Sequence, residues 1–137
     1  MTYLVTGAAG QLGSTFMRRL RAGPAVTGVT RAELDLTDHQ AVLDTVARVR
    51  PDVIVNCAAY NAVDQAEDDV RAALAVNAFG VQSLASAAGQ VDATLVHYST
   101  DFVFDGTASA PYVEDAPANP ASVYGQSKLV GEWMALQ

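Results

Sequence analysis

The stretch Thr6-Gly7-Ala8-Ala9-Gly10-Gln11-Leu12-Gly13 decides how the rest of the chain is read. It follows a short β-type run, Tyr3-Leu4-Val5-Thr6. It opens a segment from Gln11 to Arg21 in which Leu12, Phe16, Met17 and Leu20 recur at helical spacing. The pattern is G-x-x-G-x-x-G rather than the more common G-x-G-x-x-G, but the physics is shared. Gly7 permits a tight turn, Gly10 lets the backbone approach a pyrophosphate, and Gly13 lets the helix pack close to the sheet. Backbone N–H groups near Gln11 and Leu12 then face an anion from the helix N-terminus. Three glycines can also make a plain turn. Their place after an N-terminal strand and before an amphipathic helix favours a dinucleotide site.

Working outward, Gly23-Pro24 ends the first helix and Ala25 to Thr30 reads as a second strand. Asp38 is a candidate N-cap for a helix from His39 to Arg50, with Val42, Leu43, Val46 and Val49 on one side and Pro51 closing it. Asp52 to Asn56 is a continuous apolar strand, of the kind buried on both faces of a parallel sheet. Val63 to Ala88 reads as a long Ala-rich helical tract with a break near Asp68, and Thr94 to Tyr98 as a fourth strand. Residues 107–121 form a long Pro-, Ala-, Ser- and Asn-rich loop, and Ser122 to Leu136 a final helix.

This βαβαβαβ order predicts an α/β fold: a doubly wound, Rossmann-type parallel sheet with helices on both faces. The expectation is one dinucleotide-binding domain over residues 1–137, without internal repeats. Such domains usually continue with another strand after a helix of this kind. The chain is therefore expected to lack the usual C-terminal strands and substrate domain, leaving Trp133, Met134 and Leu136 in need of a packing surface.

The composition narrows the function classes. The chain has 137 residues, half of them apolar, 17% charged, and a formal net charge of −7. That is enough apolar surface for a core. The negative charge argues against nucleic-acid and anionic-membrane partners, so a bound nucleotide must be held by local amides and a few placed cations. The lone cysteine, Cys57, allows no internal disulfide. No basic segment precedes the first apolar run, and no run of apolar residues approaches the roughly 20 that span a bilayer. A soluble, cytoplasmic protein is the expectation.

Tyr124 and Lys128 stand four apart on the final helix, hence on one face. A cation beside a phenol favours the phenolate and lowers its pKa from about 10, making the tyrosine a usable general acid for a carbonyl oxygen. Ser99-Thr100 ends the fourth strand, where ligands sit in open α/β sheets; a hydroxyl there can hydrogen-bond a substrate oxygen. Tyrosine–lysine pairs at this spacing are common on helices, and only the glycine loop and Thr100 together favour catalysis. At the end of the second strand stands Thr30-Arg31 rather than an acid, and Arg31 can accept a 2′-phosphate, which favours NADPH over NADH. His39 and His97 lack partners at metal-ligand spacing. Cys57 reads as core, Trp133 as a packing residue, and Asp64, Glu67, Asp68 and Asp69 as a solvated helix face.

Four stretches carry a family resemblance: Arg50 to Tyr60 (RPDVIVNCAAY), Ala62 to Glu67 (AVDQAE), His97 to Gly106 (HYSTDFVFDG) and Tyr124 to Glu132 (YGQSKLVGE). Together they resemble the dTDP-4-dehydrorhamnose reductases, a family of extended short-chain dehydrogenase/reductases. The resemblance implies reduction of the 4-keto group of a dTDP-linked deoxy-sugar by NAD(P)H, giving dTDP-L-rhamnose. It implies Thr100 as the group that polarises the keto oxygen, Tyr124 as proton donor, Lys128 as its tuner and a ribose ligand, and Asp101 as a sugar contact. Gly10, Gln11 and Leu12 would hold pyrophosphate, and Asp35, followed by Leu36, would meet the adenine amino group. Ala59, Tyr60, Asn61 and Tyr98 would line the cofactor groove. Homodimers bridged by Mg2+ belong to the same implied set, with acidic ligands partly from a further C-terminal part that also supplies most of the sugar pocket. A dehydratase or epimerase of the same superfamily is the nearer rival. Dehydratases typically follow the Ser/Thr with Asp-Glu, whereas here Thr100-Asp101 precedes Phe102. A non-catalytic dinucleotide-binding or regulatory protein is the more distant one, and retention of Thr100, Tyr124 and Lys128 argues against it.

Overall fold

The computed structural model describes residues 1–137. Four strands, β1 (Thr2–Thr6), β2 (Ala25–Val29), β3 (Val53–Asn56) and β4 (Thr94–His97), pair in parallel in the order β2-β1-β3-β4. The chain moves one way across the sheet from β1 to β2 and the other way from β2 to β3. Because parallel crossovers are right-handed, α1 (Gln11–Leu20) and α2 (His39–Val49) must lie on opposite faces. That reversal also opens a crevice between the C-terminal ends of β1 and β3.

Alternation along the strands divides the core. Leu4 and Ile54, paired in register, join Val42 and Val46 of α2 and Leu84, Ala87 and Ala88 of α5 (Gly80–Val91) in one apolar cluster. Their neighbours Val5 and Val55 are also buried, and point to the other face. The Asp38 carboxylate caps α2 as expected, accepting the Ala41 N–H at 3.0 Å. Arg50 and Asp92 close α2 and α5 in the left-handed conformation (φ 46° and 59°), a place where glycine is usual.

The expected break near Asp68 separates α3 (Val63–Ala66) from α4 (Val70–Leu74), which Asp69 caps by accepting the Ala72 N–H. A π-helical turn, Ala75–Phe79, then runs into α5 without interruption. Gly89 does not stop the helix, which ends three residues beyond the expected Ala88. The resulting 22-residue helical tract, Val70–Val91, contains an 18-residue window of mean hydropathy 1.2, long and apolar enough by length and composition to cross a membrane, contrary to the sequence expectation. Its apolar side is already taken by α2, α6 (Val123–Ala135) and the sheet, which is where a core helix puts such residues.

Residues 104–121 are irregular except for turns, as expected, and are tied by one carboxylate. Asp105 accepts the Thr107 N–H and hydroxyl, the Tyr112 hydroxyl and the Asn119 amide. Those donors hold its pKa far below the usual carboxylate value. The Phe104 and Tyr112 rings stack at 4.4 Å across the same loop. On α6, Trp133 is 57% exposed and Leu136 86% exposed, so Trp133 is not packed here: no element of this chain lies over it.

Candidate active site

The glycine loop is built as its residue types require. Gly7 has φ +63°, and a Cβ there would lie 2.8 Å from the Ala58 nitrogen and the Cys57 carbonyl. A Cβ at Gly13 would overlap the Gly7 carbonyl, so the first turn of α1 can sit on the loop only without a side chain. Gly10 occupies the N-cap position of α1 and offers no side chain to cap it, which leaves first-turn N–H groups for a ligand.

Over this loop lies a cleft of about 490 Å³. One wall is Gly7, Gly10, Gln11 and Leu12; another is Thr30, Arg31, Asp35 and Leu36; the third is Ala59, Tyr60 and Asn61. The structure thus brings together eleven of the expected cofactor contacts, counting these names. Sequence reading missed Thr6, Ala9, Leu34, Ala58, Val76 and Cys57 in the same walls. Cys57 is a correction: the Gly7 turn lies against its backbone, so it lines the cleft half-buried instead of joining the core, and burial pushes its thiol pKa up.

The adenosine-end acids are held by local turns. Glu33 accepts the Thr30 N–H and hydroxyl, each at 2.8 Å, and these donors lower its pKa. Asp35 uses one oxygen for the Thr37 N–H and hydroxyl, which likewise lower its pKa, and its second oxygen makes no hydrogen bond within the chain. No carboxylate lies within 4.0 Å of the Arg31 guanidinium.

Tyr98, Tyr124 and Lys128 lie outside these walls. The Tyr98 ring meets Phe16 at 6.2 Å, and its carbonyl accepts from the Lys128 ammonium at 2.5 Å. Lys128, the chain's single lysine, is only 3% exposed; burial lowers its pKa, and Glu132 partly offsets this. The Glu132 carboxylate in turn accepts the Ser99 hydroxyl. Thr100 caps a 3-10 turn, Asp101–Val103: its hydroxyl accepts the Phe102 N–H and reaches an Asp101 carboxylate oxygen, both at 3.2 Å. That turn rests on the start of α6, where the Phe102 and Tyr124 rings meet edge-on at 5.7 Å. Gly125 makes the approach possible, since a Cβ there would overlap the Phe102 carbonyl. The Tyr124 hydroxyl bonds no protein group, Lys128 included.

Two supporting residues were not legible. Asn77, in the π-helical turn, accepts the Tyr60 N–H and donates to the Tyr60 carbonyl, both at 2.8 Å, and donates to the Ser127 hydroxyl at 3.0 Å. One buried amide therefore ties a cleft wall to α6. Glu67 is solvent-exposed as expected, and its carboxylate has a further role: it accepts the Val123 N–H at 2.9 Å, at the start of α6. No group of three or more His, Cys, Asp or Glu side chains comes together to hold a metal, so the Mg2+ implied by the resemblance finds no ligand set in these residues.

Residues 1–137 match, end to end, the family described as RmlD substrate binding domain. The chain belongs to that family. This RmlD-family chain is 48% identical over 136 residues to a dTDP-4-dehydrorhamnose reductase of Streptomyces griseus, a match covering 98% of the chain and 45% of the relative. Among solved structures, a dTDP-4-dehydrorhamnose reductase from Clostridium acetobutylicum superposes with a TM-score of 0.97 at 41% identity, covering 99% of this chain and 49% of that one. The Bacillus anthracis dTDP-4-dehydrorhamnose reductase, solved in complex with NADP, superposes with a TM-score of 0.95 at 37% identity over 98% and 48% of the two chains. The RmlD-family chain thus spans about half the length of these relatives.

Proposed function

We propose that residues 1–137 form a nicotinamide-dinucleotide-binding domain, and that the protein reduces the 4-keto group of a dTDP-linked deoxy-sugar. The observation that carries this reading is the cleft itself. An uncapped helix N-terminus for the diphosphate, an unpaired Arg31 for a 2′-phosphate and a free Asp35 oxygen for the adenine amino group share one cavity. Residues 1–137 fit the cofactor at each of these points, and the Bacillus anthracis relative was solved with NADP.

The chemistry follows from the residues on α6 and the Thr100 turn. When bound, the cofactor supplies the hydride to the carbonyl carbon. Tyr124 delivers a proton to the carbonyl oxygen, and solvent restores the phenol. Lys128, as a nearby cation, favours the phenolate that this transfer leaves behind and reaches the nicotinamide ribose. Thr100 turns its hydroxyl proton from Asp101 to the substrate oxygen and steadies the charge growing there. Asp101 takes the sugar, and Tyr98 borders the nicotinamide end. The dTDP-sugar is the substrate, and homodimerisation belongs to the same reading.

NADPH fluorescence titrated with the 137-residue chain tests the first half: saturable binding supports it, and no binding to either NADPH or NADH refutes it. Tyr124→Phe tests the second half in any longer form that turns over the dTDP-linked keto-sugar. Most of the rate should vanish while cofactor affinity stays, because only the proton donor is lost. Cofactor binding by a longer form that fails to turn over the keto-sugar would point to a regulatory module.

A further inference from the structure

A row of polar side chains crosses the sheet at the C-terminal ends of its strands. Thr6, Asn56 and His97 are register partners on β1, β3 and β4. The Thr6 hydroxyl donates to Asn56 Oδ1 at 2.6 Å, and Asn56 Nδ2 stands 3.1 Å from His97 Nδ1. His97 Nε2 stands 3.5 Å from Lys128 Nζ. Thr6 and Asn56 are both almost fully buried.

Donor and acceptor roles along this row are not free. The Ala58 backbone N–H reaches Asn56 Oδ1 at 3.1 Å, and a backbone N–H can only donate. The oxygen of the amide is therefore on that side, and Nδ2, with its two hydrogens, faces the imidazole. His97 Nδ1 must accept. A neutral imidazole then carries its proton on Nε2, and a charged one would set N–H against N–H at Nδ1.

We propose that His97 is a positioning residue for Lys128, held by Asn56 as the neutral Nε2–H tautomer so that a donor, not a lone pair, faces the ammonium. An ammonium has no lone pair and gains nothing from that N–H. Its one protein acceptor is the Tyr98 carbonyl, and its remaining hydrogens stay unspent for a phenol or a ribose. The opposed donors also weaken the hold on the ammonium proton, in the same sense as burial. Burial, aided by the Lys128 charge, takes His97 itself down to about 4, in keeping with a ring that stays neutral. The other titratable groups around the pair are Tyr124 and Glu132 of α6 and Tyr98 after β4. β3 brings Asn56 and the π-helical turn brings Asn77, neither of which titrates. The relay stands on the protein alone; its use in catalysis rests on the reading of Lys128 given above.

The chain suits a direct test, with two histidines and one lysine. Long-range 1H–15N correlation on the unmodified, cofactor-free chain reads the tautomer of His97, with His39 as internal comparison. The expected result is a bare Nδ1 and a protonated Nε2 between about pH 5 and pH 8. A protonated Nδ1, or an imidazolium at neutral pH, overturns the proposal. The second measurement follows the side-chain resonance of the single lysine against pH in the wild type and in His97→Phe. Removing an opposing N–H raises the midpoint by about one pH unit, the scale of one hydrogen bond to a charged group. An unchanged or lower midpoint, as expected if the imidazole only filled space or offered a lone pair, overturns it. Should His97→Phe not fold, the wild-type tautomer still decides. Neither measurement needs a nicotinamide, so a chain that shows the tautomer but fails to bind NADPH refutes the proposed function and leaves the relay intact.

Discussion

Replacing Asn77 with leucine should uncouple the Tyr60 wall of the cleft from α6, at a cost that the hydrogen bonds allow to be worked out. The amide makes three bonds, two to the Tyr60 backbone at 2.8 Å and one to the Ser127 hydroxyl at 3.0 Å. Each is worth about 0.5–1.5 kcal/mol net. Tyr60 is only partly buried, so water recovers some of its two, whereas Ser127 keeps its bond to the Tyr124 carbonyl at 2.7 Å. The sum comes to about 2–3 kcal/mol. At a urea slope of about 1–3 kcal/mol per molar, the unfolding midpoint should fall by about 1 M or more. Ser127→Ala should cost about 1 kcal/mol and share a bond with Asn77. The double variant should therefore be less destabilised than the sum of the singles, by about 1 kcal/mol. Urea titration of the four proteins measures this cycle. Strict additivity, or an Asn77→Leu midpoint equal to that of the wild type, would show that the amide bridge is not a structural link. NADPH affinity should weaken in Asn77→Leu, because Tyr60 loses its anchor.

Three further outcomes follow from the same geometry. Arg31→Ala should weaken NADPH more than NADH, since only the former carries the 2′-phosphate; equal losses in paired fluorescence titrations would remove Arg31 from that role. Gly13→Ala drives a methyl into the Gly7 carbonyl and should cost about 1–3 kcal/mol by overpacking, together with most of the NADPH affinity; a wild-type melting temperature would contradict the close approach. For pH, the native state holds His97 at about 4 against the ordinary 6.5 of a free imidazole, so below pH 6.5 the unfolded chain binds a proton that the native chain refuses. Stability should fall as pH drops from 6.5 to about 4, by about 2 kcal/mol once residual solvent contact is allowed for, and His97→Phe should flatten that limb in urea midpoints; an unchanged slope would exclude His97 as its source.

What the sequence disclosed is what depends on local pattern. The glycine spacing, the Asp38 cap, the apolar run of β3 and the break at Asp68 each announce themselves within a few residues, and the parallel sheet follows from the alternation of strands with helices. Of the cleft walls, the glycine loop and Thr30-Arg31 were legible from their place at strand ends, whereas Asp35, Leu36, Ala59, Tyr60 and Asn61 were named only through the family resemblance. Features made by register were not legible. Thr6, Asn56 and His97 are about 40–50 residues apart and become neighbours only when three parallel strands align. Glu67 reaching Val123 and Asn77 reaching Ser127 are cross-chain contacts of the same kind. The π-helical turn left no trace because the phase shift of a single i→i+5 turn is hard to see in a helix whose small apolar alanines occupy every face. Trp133 was read as packed because helical spacing says which side a residue is on, not whether anything covers it.

The seclusion of Lys128 has a practical side. With the only ε-amine of the chain shut behind α6 and the Tyr98 carbonyl, amine-directed dyes and tethers meet one accessible target, the α-amino group of the exposed Met1, which pairs loosely with Asp52 at 3.7 Å. Acylating reagents should therefore attach a single reporter at the N-terminal end of β1, at the edge of the sheet farthest along the strands from the nucleotide cleft, and leave the chemistry of the site untouched.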